Sequence, residues 1–320
     1  MDELYKKELT EKINQLKKEK NAVLLAHYYQ RDEIQDAADF VGDSLGLAIE
    51  AAKTDAEIIV FAGVHFMAET AKLLNPDKRV FLPDLKAGCS LADSCPPDKF
   101  KEFIDAHPDH YVISYVNCSA GVKALSDIIC TSSNARAIVE SVPKDQKIIF
   151  APDKNLGKYL MKVTGRELVL WNGACIVHEA FSFDRLLQII NENPTAKLIA
   201  HPESEPHVLD LADFIGSTAK MIEFVKTTDA ETIIVGTEAG ILHKMSQVAP
   251  NKTLIPLPVN EDNTCACSEC AFMKMNTLEK VYSCLLNETP EMFVDPAIIE
   301  RARLPIDRMV EFSAGLTVAK

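Results

Sequence analysis

Short apolar runs alternate along the chain with segments of helical pattern and with polar connections. Three of the runs end in residues whose side chains can take part in chemistry: Ala22-Val-Leu-Leu-Ala-His27, Tyr111-Val-Ile-Ser-Tyr115 and Lys197-Leu-Ile-Ala-His201. Short runs rich in aliphatic residues predict buried β-strands. Because ligands bind beyond the carboxyl ends of the strands in open α/β sheets, these endings indicate a site at that edge.

Each of these runs begins a unit that recurs about every 85 to 90 residues. A second buried run follows in every unit: Glu57-Ile-Ile-Val-Phe61, Lys147-Ile-Ile-Phe150 and Thr232-Ile-Ile-Val235. After a helical pattern comes a third: Arg79-Val-Phe-Leu82, Glu167-Leu-Val-Leu170 and Thr253-Leu-Ile-Pro-Leu257. A repeat of this length predicts three copies of one structural unit.

Strands that alternate with helical patterns predict parallel sheets covered by helices. We therefore expect an α/β fold of three similar α-β-α lobes, over residues 1–107, 108–193 and 194–320, the last with a C-terminal helical segment. A lobe of under ~90 residues is marginal alone, so the three should pack about a pseudo-threefold axis. The carboxyl ends of their small parallel sheets would then face an active site at the centre.

The strand ends supply pairs of polar residues two positions apart. The pairs are His27 with Tyr29, Tyr115 with Asn117, and His201 with Glu203. Residues two apart on a strand point to the same face. Each lobe is therefore expected to offer two polar side chains to one space, a set suited to proton transfer and to holding a polar substrate.

A hydroxyl residue lies 17 positions after each strand end, at Ser44, Ser132 and Thr218. Each opens a helix-like stretch, so ordinary N-capping is one explanation. The other is anion binding, because the free N–H groups of a helix N-terminus favour a negative charge. On that second interpretation these residues hold substrate carboxylates or phosphate.

The register of the repeat also sorts the nine cysteines. Three of them follow the third strand of their unit: Cys89, Cys175 and Cys270. Four others have unrelated positions and are predicted to be structural: Cys95, Cys118, Cys130 and Cys284. Three converging thiolates are one short of the four ligands usual for a [4Fe-4S] cluster, whose open iron would bind substrate. The close spacing of Cys265, Cys267 and Cys270 would by itself fit zinc as well as iron and sulfur.

Charge and hydropathy exclude some classes of partner. The formal net charge of −13 argues against nucleic acid and acidic membranes, which need clustered Lys and Arg. The basic run at residues 17–20 is expected on a solvated helix face. Residues 1–21 lack the apolar core of a signal peptide, and no later stretch approaches the ~18 apolar residues of a membrane span. We therefore predict a cytoplasmic protein whose nine cysteines do not form a disulfide framework.

Over essentially its full length the chain resembles the quinolinate synthase family. The stretches that carry the resemblance are His27-Tyr-Tyr-Gln, Gly42-Asp-Ser-Leu, Ala87-Gly-Cys89, Tyr115-Val-Asn117, Cys130-Thr-Ser-Ser-Asn134, Cys175-Ile-Val-His178, His201-Pro-Glu203, Gly236-Thr-Glu-Ala-Gly240 and Met273-Lys-Met-Asn-Thr277. The resemblance implies a transferase that condenses iminoaspartate with dihydroxyacetone phosphate, with loss of phosphate and water, to quinolinate for NAD biosynthesis. An aspartate-oxidising enzyme is then the expected source of the imine.

The resemblance also implies roles for individual residues. One [4Fe-4S] cluster would be held by one cysteine from each lobe, with His178 nearby. Proton transfer would fall to Tyr29, Tyr115 and Glu203. The residues expected to position carboxylates or phosphate are His27, Ser44, Asn117, Ser132, His201 and Thr218.

The third cysteine departs from the family pattern. Cys270 is followed by Ala271-Phe272, where family members often have Pro and an aromatic residue, and its upstream spacing is Cys-x-Cys-x-x-Cys. Its assignment as a ligand rests on register with Met273-Lys-Met-Asn, with Cys267 as the alternative. A Cys267–Cys270 disulfide that removes this ligand is a further hypothesis.

Two other functions remain open on the sequence. One is a three-cysteine enzyme of the diphthamide-synthesis type, which cleaves S-adenosylmethionine but acts on a protein substrate. The other is a zinc-binding scaffold, which would leave Cys89 and Cys175 without a role.

Overall fold

The computed structural model describes residues 2–259 and 268–318, with side chains as far as residue 315. Its first lobe contains four strands: β1 (Ala22–His27), β2 (Phe40–Gly42), β3 (Ile58–Ala62) and β4 (Arg79–Phe81). Its helices are α1 (Glu3–Glu19), α2 (Asp32–Ala37), α3 (Ser44–Lys53), α4 (His65–Leu74), α5 (Ser90–Asp93) and α6 (Pro97–Asp105).

The second lobe has the same succession of strands. They are β5 (His110–Tyr115), β6 (Ile128–Cys130), β7 (Lys147–Ala151) and β8 (Val169–Leu170). The helices are α7 (Ala120–Lys123), α8 (Ala135–Ser141), α9 (Lys154–Thr164), α10 (Ile176–Glu179) and α11 (Phe183–Glu192).

The third lobe completes the repeat and is followed by two C-terminal helices. Its strands are β9 (Lys197–Ala200), β10 (Phe214–Ile215), β11 (Thr232–Gly236) and β12 (Thr253–Pro256). The helices are α12 (Pro206–Leu209), α13 (Thr218–Thr227) and α14 (Ile241–Val248), then a 3₁₀ turn (Met273–Met275), α15 (Leu278–Asn287) and α16 (Pro296–Val318).

Each lobe has its own four-stranded sheet, and all paired strands are parallel. The strand order is β2-β1-β3-β4 in the first lobe, and the second and third lobes repeat it. The central strand β3 is buried at every position, as expected where helices cover both faces of a parallel sheet. The predicted fold class is thus confirmed. The edge strands β2, β6 and β10 were not predicted.

One backbone arrangement recurs in all three lobes and is called here the aspartate bracket. In each lobe, the side chain of an aspartate just before the edge strand accepts a hydrogen bond from a backbone N–H group. That N–H belongs to the residue fifteen positions earlier, in the first strand of the lobe. The bonds join Leu24 to Asp39 at 2.8 Å, Val112 to Asp127 at 2.8 Å, and Leu198 to Asp213 at 2.9 Å. Each aspartate also donates its own N–H to the carbonyl of the same strand residue. The bracket therefore fixes the start of each edge strand against its neighbour.

Lys17 corrects the prediction for the basic run of α1. Its side chain is buried instead of solvated, and Nζ donates to Ala37 O at 2.9 Å and to Asp39 Oδ1 at 2.8 Å. The burial of this ammonium is compensated by an acidic partner and a carbonyl, as a buried charge requires. It also holds the bracket aspartate of the first lobe.

The two C-terminal helices pack back against earlier parts of the chain. Helix α15 contacts α1, and α16 contacts α4, α7 and β6. Arg308 on α16 donates to the carbonyl of Asp127 at 2.6 Å, and Asn134 donates to Ser313 Oγ at 2.9 Å. The predicted boundaries at residues 107 and 193 remain predictions. Within the described residues no helix combines the length and apolarity needed to cross a bilayer.

Candidate active site

A single central cavity is lined by every residue for which the sequence predicted a site role. These are His27, Tyr29, Ser44, Cys89, Tyr115, Asn117, Ser132, Cys175, His178, His201, Glu203, Thr218 and Cys270. All three lobes contribute, because the carboxyl ends of the three sheets face the same space. Apolar side chains complete the wall, among them Val64, Phe66, Met67, Phe272 and Met273.

The strand ends turn sharply at the cavity. His27 is the last residue of β1, and its Nδ1 accepts the backbone N–H of Tyr29 at 3.2 Å. His201 follows β9 and accepts the N–H of Glu203 in the same way, at 3.4 Å. The second residue of each predicted pair thus lies in a turn and not on the strand. It still lines the same cavity as the first.

A chain of close polar contacts connects the two tyrosines of the site. The hydroxyl oxygens of Tyr29 and Thr237 are 2.6 Å apart, and Thr237 Oγ1 is 2.9 Å from His178 Nε2. The other ring nitrogen of His178 lies 3.1 Å from Glu203 Oε2. Glu203 Oε1 in turn accepts the hydroxyl of Tyr115. Residues from all three lobes therefore share one polar network.

Burial sets the protonation states around this network. Although burial opposes charge on Glu203, the neighbouring His178 and His201 and its hydrogen bonds hold the pKa of this carboxyl below its usual value. Burial lowers the pKa of His27 to about 3 and that of His201 to about 4. The pKa of Tyr115 is raised well above its usual value by burial and by the charge of Glu203. At neutral pH Glu203 is therefore a carboxylate, His27 and His201 are neutral imidazoles and Tyr115 is a protonated phenol.

Of the two explanations for the hydroxyl residues, ordinary N-capping is wrong. Ser44 and Thr218 are the first residues of α3 and α13, and the caps are the preceding Asp43 and Ser217. Ser132 lies in the turn before α8, whose N-terminal flanking residue is Asn134. The cap is one position earlier because the Asp43 and Ser217 side chains reach the N–H groups of Gly46 and Lys220. Capping is therefore not what Ser44, Ser132 and Thr218 do.

Ser133, in the turn before α8, contacts the residues that cap α3 and α13. Its hydroxyl lies 2.7 Å from Asp43 Oδ2 and 2.8 Å from Ser217 Oγ, so one side chain from each lobe meets here. The neighbouring Ser132 Oγ lies 3.1 Å from His201 Nε2. Because Asp43 and Ser217 are caps, this junction fixes the starts of α3 and α13 relative to the second lobe.

The three predicted ligand cysteines lie in equivalent turns. In each, the carbonyl of the cysteine accepts the N–H of the residue four positions later: Asp93 at 2.9 Å, Glu179 at 3.0 Å and Lys274 at 3.1 Å. Burial raises the pKa of all three thiols, while backbone N–H groups of the following turn point at the sulfur atoms and act in the opposite direction. Donors aimed at sulfur are suited to a metal-bound thiolate.

The remaining cysteines are placed differently. Cys95, Cys118, Cys130 and Cys284 are buried in the hydrophobic cores, away from the cavity lining. Cys265 and Cys267 lie outside the described residues, so the alternative ligand and the Cys267–Cys270 disulfide remain predictions.

Two buried acidic side chains next to the cysteine turns were not predicted. Glu238 Oε1 accepts the N–H of Cys270 at 3.0 Å and pairs with Lys274 Nζ at 3.0 Å. Asp153 caps α9 through Leu156, and its Oδ2 is buried without a hydrogen-bond partner among the described residues. Both lie just beyond the second central strand of their lobes, as does Thr237. The sequence carries the same signal for all three as for the ends of β1, β5 and β9, since polar residues follow the buried runs of β7 and β11 within two positions.

Among the described residues, two sets of side chains are candidates to hold a metal. One is Cys175, His178 and Glu203, whose ligand atoms lie within 4.8 Å of one another. In that set, His178 already contacts Thr237 and Glu203 already accepts a hydrogen bond from Tyr115. His178 and Glu203 also contact each other. The three cysteine sulfurs have backbone donors but no competing side-chain partner in the contacts described above. The donor set of Cys89, Cys175 and Cys270 therefore fits a metal–sulfur group better.

Comparison with known proteins gives a consistent result. The family model described as quinolinate synthetase A protein (NadA) matches residues 11–311. A quinolinate synthase from Trichormus variabilis is 60% identical over 301 residues, which cover 94% of this chain and 92% of that protein. Those from Synechocystis sp. and Chloroherpeton thalassium are 58% and 59% identical, over 96% of this chain and 96% and 95% of theirs.

Proposed function

The chain belongs to the quinolinate synthetase A family and is an enzyme of NAD biosynthesis, and on that premise we propose the chemistry of its central cavity. Iminoaspartate and dihydroxyacetone phosphate condense there to quinolinate, with loss of phosphate and water. The cysteines Cys89, Cys175 and Cys270 hold a [4Fe-4S] cluster. One observation carries the proposal: a cysteine turn from each lobe meets at the cavity that contains Glu203 and its two tyrosines.

The cysteine turns account for how the cluster is held. Cys89, Cys175 and Cys270 would hold the cluster as three thiolate ligands, and the cluster would supply a Lewis acid for an oxygen or nitrogen of the substrate. Backbone N–H groups after each cysteine offset the negative charge on sulfur. Glu238 fixes the third turn through the N–H of Cys270.

The substrates bind at the starts of α3 and α13, which meet at Ser133. Both substrates carry carboxylate or phosphate groups, and the N-termini of α3 and α13 present N–H groups beside Ser44 and Thr218. Ser132, with His201 at 3.1 Å, and His27 with Asn117 provide further polar groups on the same wall. Neutral imidazoles can donate or accept without adding charge. These groups orient the two substrates so that the carbons to be joined meet.

Glu203 and the tyrosines account for proton transfer. Dihydroxyacetone phosphate loses phosphate, a new carbon–carbon bond forms, and the ring closes through nitrogen before dehydration. Protons must leave carbon and nitrogen, and departing hydroxyls must be protonated. The ionised Glu203 is the base, Tyr115 donates through the hydroxyl that Glu203 holds, and Tyr29 exchanges protons through Thr237 and His178. No net redox change occurs.

The apolar wall accounts for protection of the imine. Val64, Phe66, Met67 and Phe272 line the cavity beside the polar groups. Excluding water strengthens the hydrogen bonds to the charged substrates and slows hydrolysis of the imine. The S-adenosylmethionine alternative is not favoured, since the similar proteins cited above are all quinolinate synthases.

The proposal is tested by assaying the anaerobically isolated, iron-replete protein with dihydroxyacetone phosphate and imine supplied by an aspartate-oxidising enzyme. We expect quinolinate, together with the visible absorption of an iron–sulfur cluster and about four irons per chain. Zinc in place of iron, or a complete cluster with no quinolinate formed, would contradict it.

A further inference from the structure

Tyr29 and Asn117 occupy the same place in two lobes, at the turn beyond the central strand. In the first lobe, Gln35 Nε2 donates to Tyr28 O at 3.0 Å and to Gln30 O at 2.9 Å, the carbonyls on either side of Tyr29. In the second lobe, Lys123 Nζ donates to Val116 O at 3.1 Å and also to Cys118 O, the carbonyls on either side of Asn117.

The two donors also have the same place in the repeat. Gln35 and Lys123 each lie seven residues after the first carbonyl and five after the second. An amide and an ammonium therefore perform the same task at equivalent positions. We call this arrangement the tip clamp.

Lys123 is an unusual residue to find in a core. Its side chain is 0% exposed, and within residues 2–259 and 268–318 no carboxylate lies within ion-pair distance of its Nζ. The ammonium lies 5.5 Å from the ring centre of Phe66, which lines the cavity. Because a buried charge is costly unless it is well bonded, the two carbonyls are its main compensation. A methionine at this position would avoid that cost, which indicates that the donors themselves are needed.

We propose that Lys123 is a positioning residue that holds Asn117 toward the substrate, and that Gln35 does the same for Tyr29. Fixing both flanking carbonyls fixes the backbone of the residue between them and hence the direction of its side chain. Asn117 Oδ1 is buried without a hydrogen-bond partner among the described residues, as expected of an acceptor that a substrate donor satisfies. The inference rests on the proposed function for the identity of that substrate.

In the third lobe, other residues restrain the turn that contains Glu203. Leu209 occupies the position equivalent to Gln35 and Lys123, and its side chain cannot donate a hydrogen bond. The residue before Glu203 is Pro202, whose ring restricts the backbone, and Asn155 Nδ2 donates to Glu203 O at 3.3 Å. Each of the three turns is therefore restrained, by a different means in the third.

The test compares three variants of the cluster-loaded protein. Lys123→Met keeps the length of the side chain and removes the donors, while Lys123→Gln supplies the amide that the first lobe uses. Lys17→Met is the matched control, since Lys17 is also buried and bonded to a carbonyl but does not line or clamp the cavity. The measurements are kcat/KM for quinolinate formation and amide hydrogen exchange of the peptide around residues 115–118.

We expect Lys123→Met to lower kcat/KM roughly 10- to 100-fold, as misplacement of a substrate-positioning group does. In the same variant, amide hydrogen exchange at residues 116–118 should accelerate. Lys123→Gln should recover most of the kcat/KM and of the protection from exchange. Lys17→Met should change neither quantity in the folded fraction. Unchanged kinetics and exchange in Lys123→Met, or no recovery with Gln, would overturn the inference. If the parent protein makes no quinolinate, the proposed function fails, and the exchange measurements still decide whether the clamp exists.

Discussion

The hydroxyl oxygens of Tyr29 and Thr237 lie 2.6 Å apart, although the two residues belong to different lobes. Thr237 also lies 2.9 Å from His178, a residue of the lobe between them. A hydroxyl that contacts both a phenol and an imidazole can accept a proton from one side and donate on the other. This polar network is therefore complete only when all three lobes are assembled.

Thr237→Val should slow catalysis without loosening substrate binding. Valine has nearly the same shape but cannot bridge Tyr29 and His178. One lost hydrogen bond of ~1 kcal/mol corresponds to a roughly five- to tenfold lower kcat. Thr237→Ser should restore the rate because it keeps the hydroxyl. Equal rates for the valine and serine variants would argue against the bridge.

Glu203→Gln should remove the general base while preserving the fold. The amide retains size and hydrogen bonding but not basicity, so quinolinate formation should fall by roughly 10²–10⁴. Glu205→Gln, at a half-exposed position nearby, serves as the control. Near-parental turnover of Glu203→Gln with a normal cluster spectrum would transfer the base role to Tyr29 or Tyr115.

The cluster assignment predicts two classes of cysteine variant. Serine at Cys89, Cys175 or Cys270 should abolish the cluster, because each lobe supplies one ligand. Serine at Cys95, Cys118, Cys130 or Cys284 should leave it intact, since these thiols lie in the cores. Iron and acid-labile sulfide per chain measure the difference, and normal content in any of the first three variants would refute the assignment.

His201 should make the cluster-free protein sensitive to acid. Burial lowers the pKa of His201 from 6.5 to about 4, so as the pH falls the unfolded chain binds this proton first. The contribution of neutral His201 to the free energy of unfolding is fully present above pH 6.5, and it is lost as the pH falls toward the pKa of His201 in the folded protein. Between pH 7 and pH 5 the loss from this residue is about 2 kcal/mol. Urea unfolding of His201→Gln should show a correspondingly smaller loss, and identical pH dependence of variant and parent would contradict the prediction.

Much of the fold follows from the sequence because buried parallel strands are nearly continuous apolar runs. Ile58–Ala62 and its counterparts are readable for that reason. The edge strands are not, since their position is set by tertiary contacts such as the aspartate bracket. Lys17 was misjudged for a similar reason, because its acidic partner Asp39 is distant in sequence.

The candidate site is predictable where side chains follow the first strand of each lobe. Thr237 and Glu238 lie in the stretch Gly236-Thr-Glu-Ala-Gly240 that carries the resemblance, but no role was predicted for them because they follow the second central strand of their lobe. The tip clamp could not have been seen at all. A glutamine and a lysine do not look alike, and only the carbonyls they contact reveal that Gln35 and Lys123 are equivalent.

The aspartate bracket has a consequence for the origin of the chain. It recurs in every lobe, whereas the residues at the strand ends differ, with His27, Tyr115 and His201 at one equivalent position. Gene duplication from one ancestral lobe would copy the bracket, and three separate copies could assemble as a symmetric trimer. In such a trimer any change at a strand end appears three times. Fusion into one chain removes that constraint, and only then can a base, an acid and an anion ligand evolve independently around a single axis.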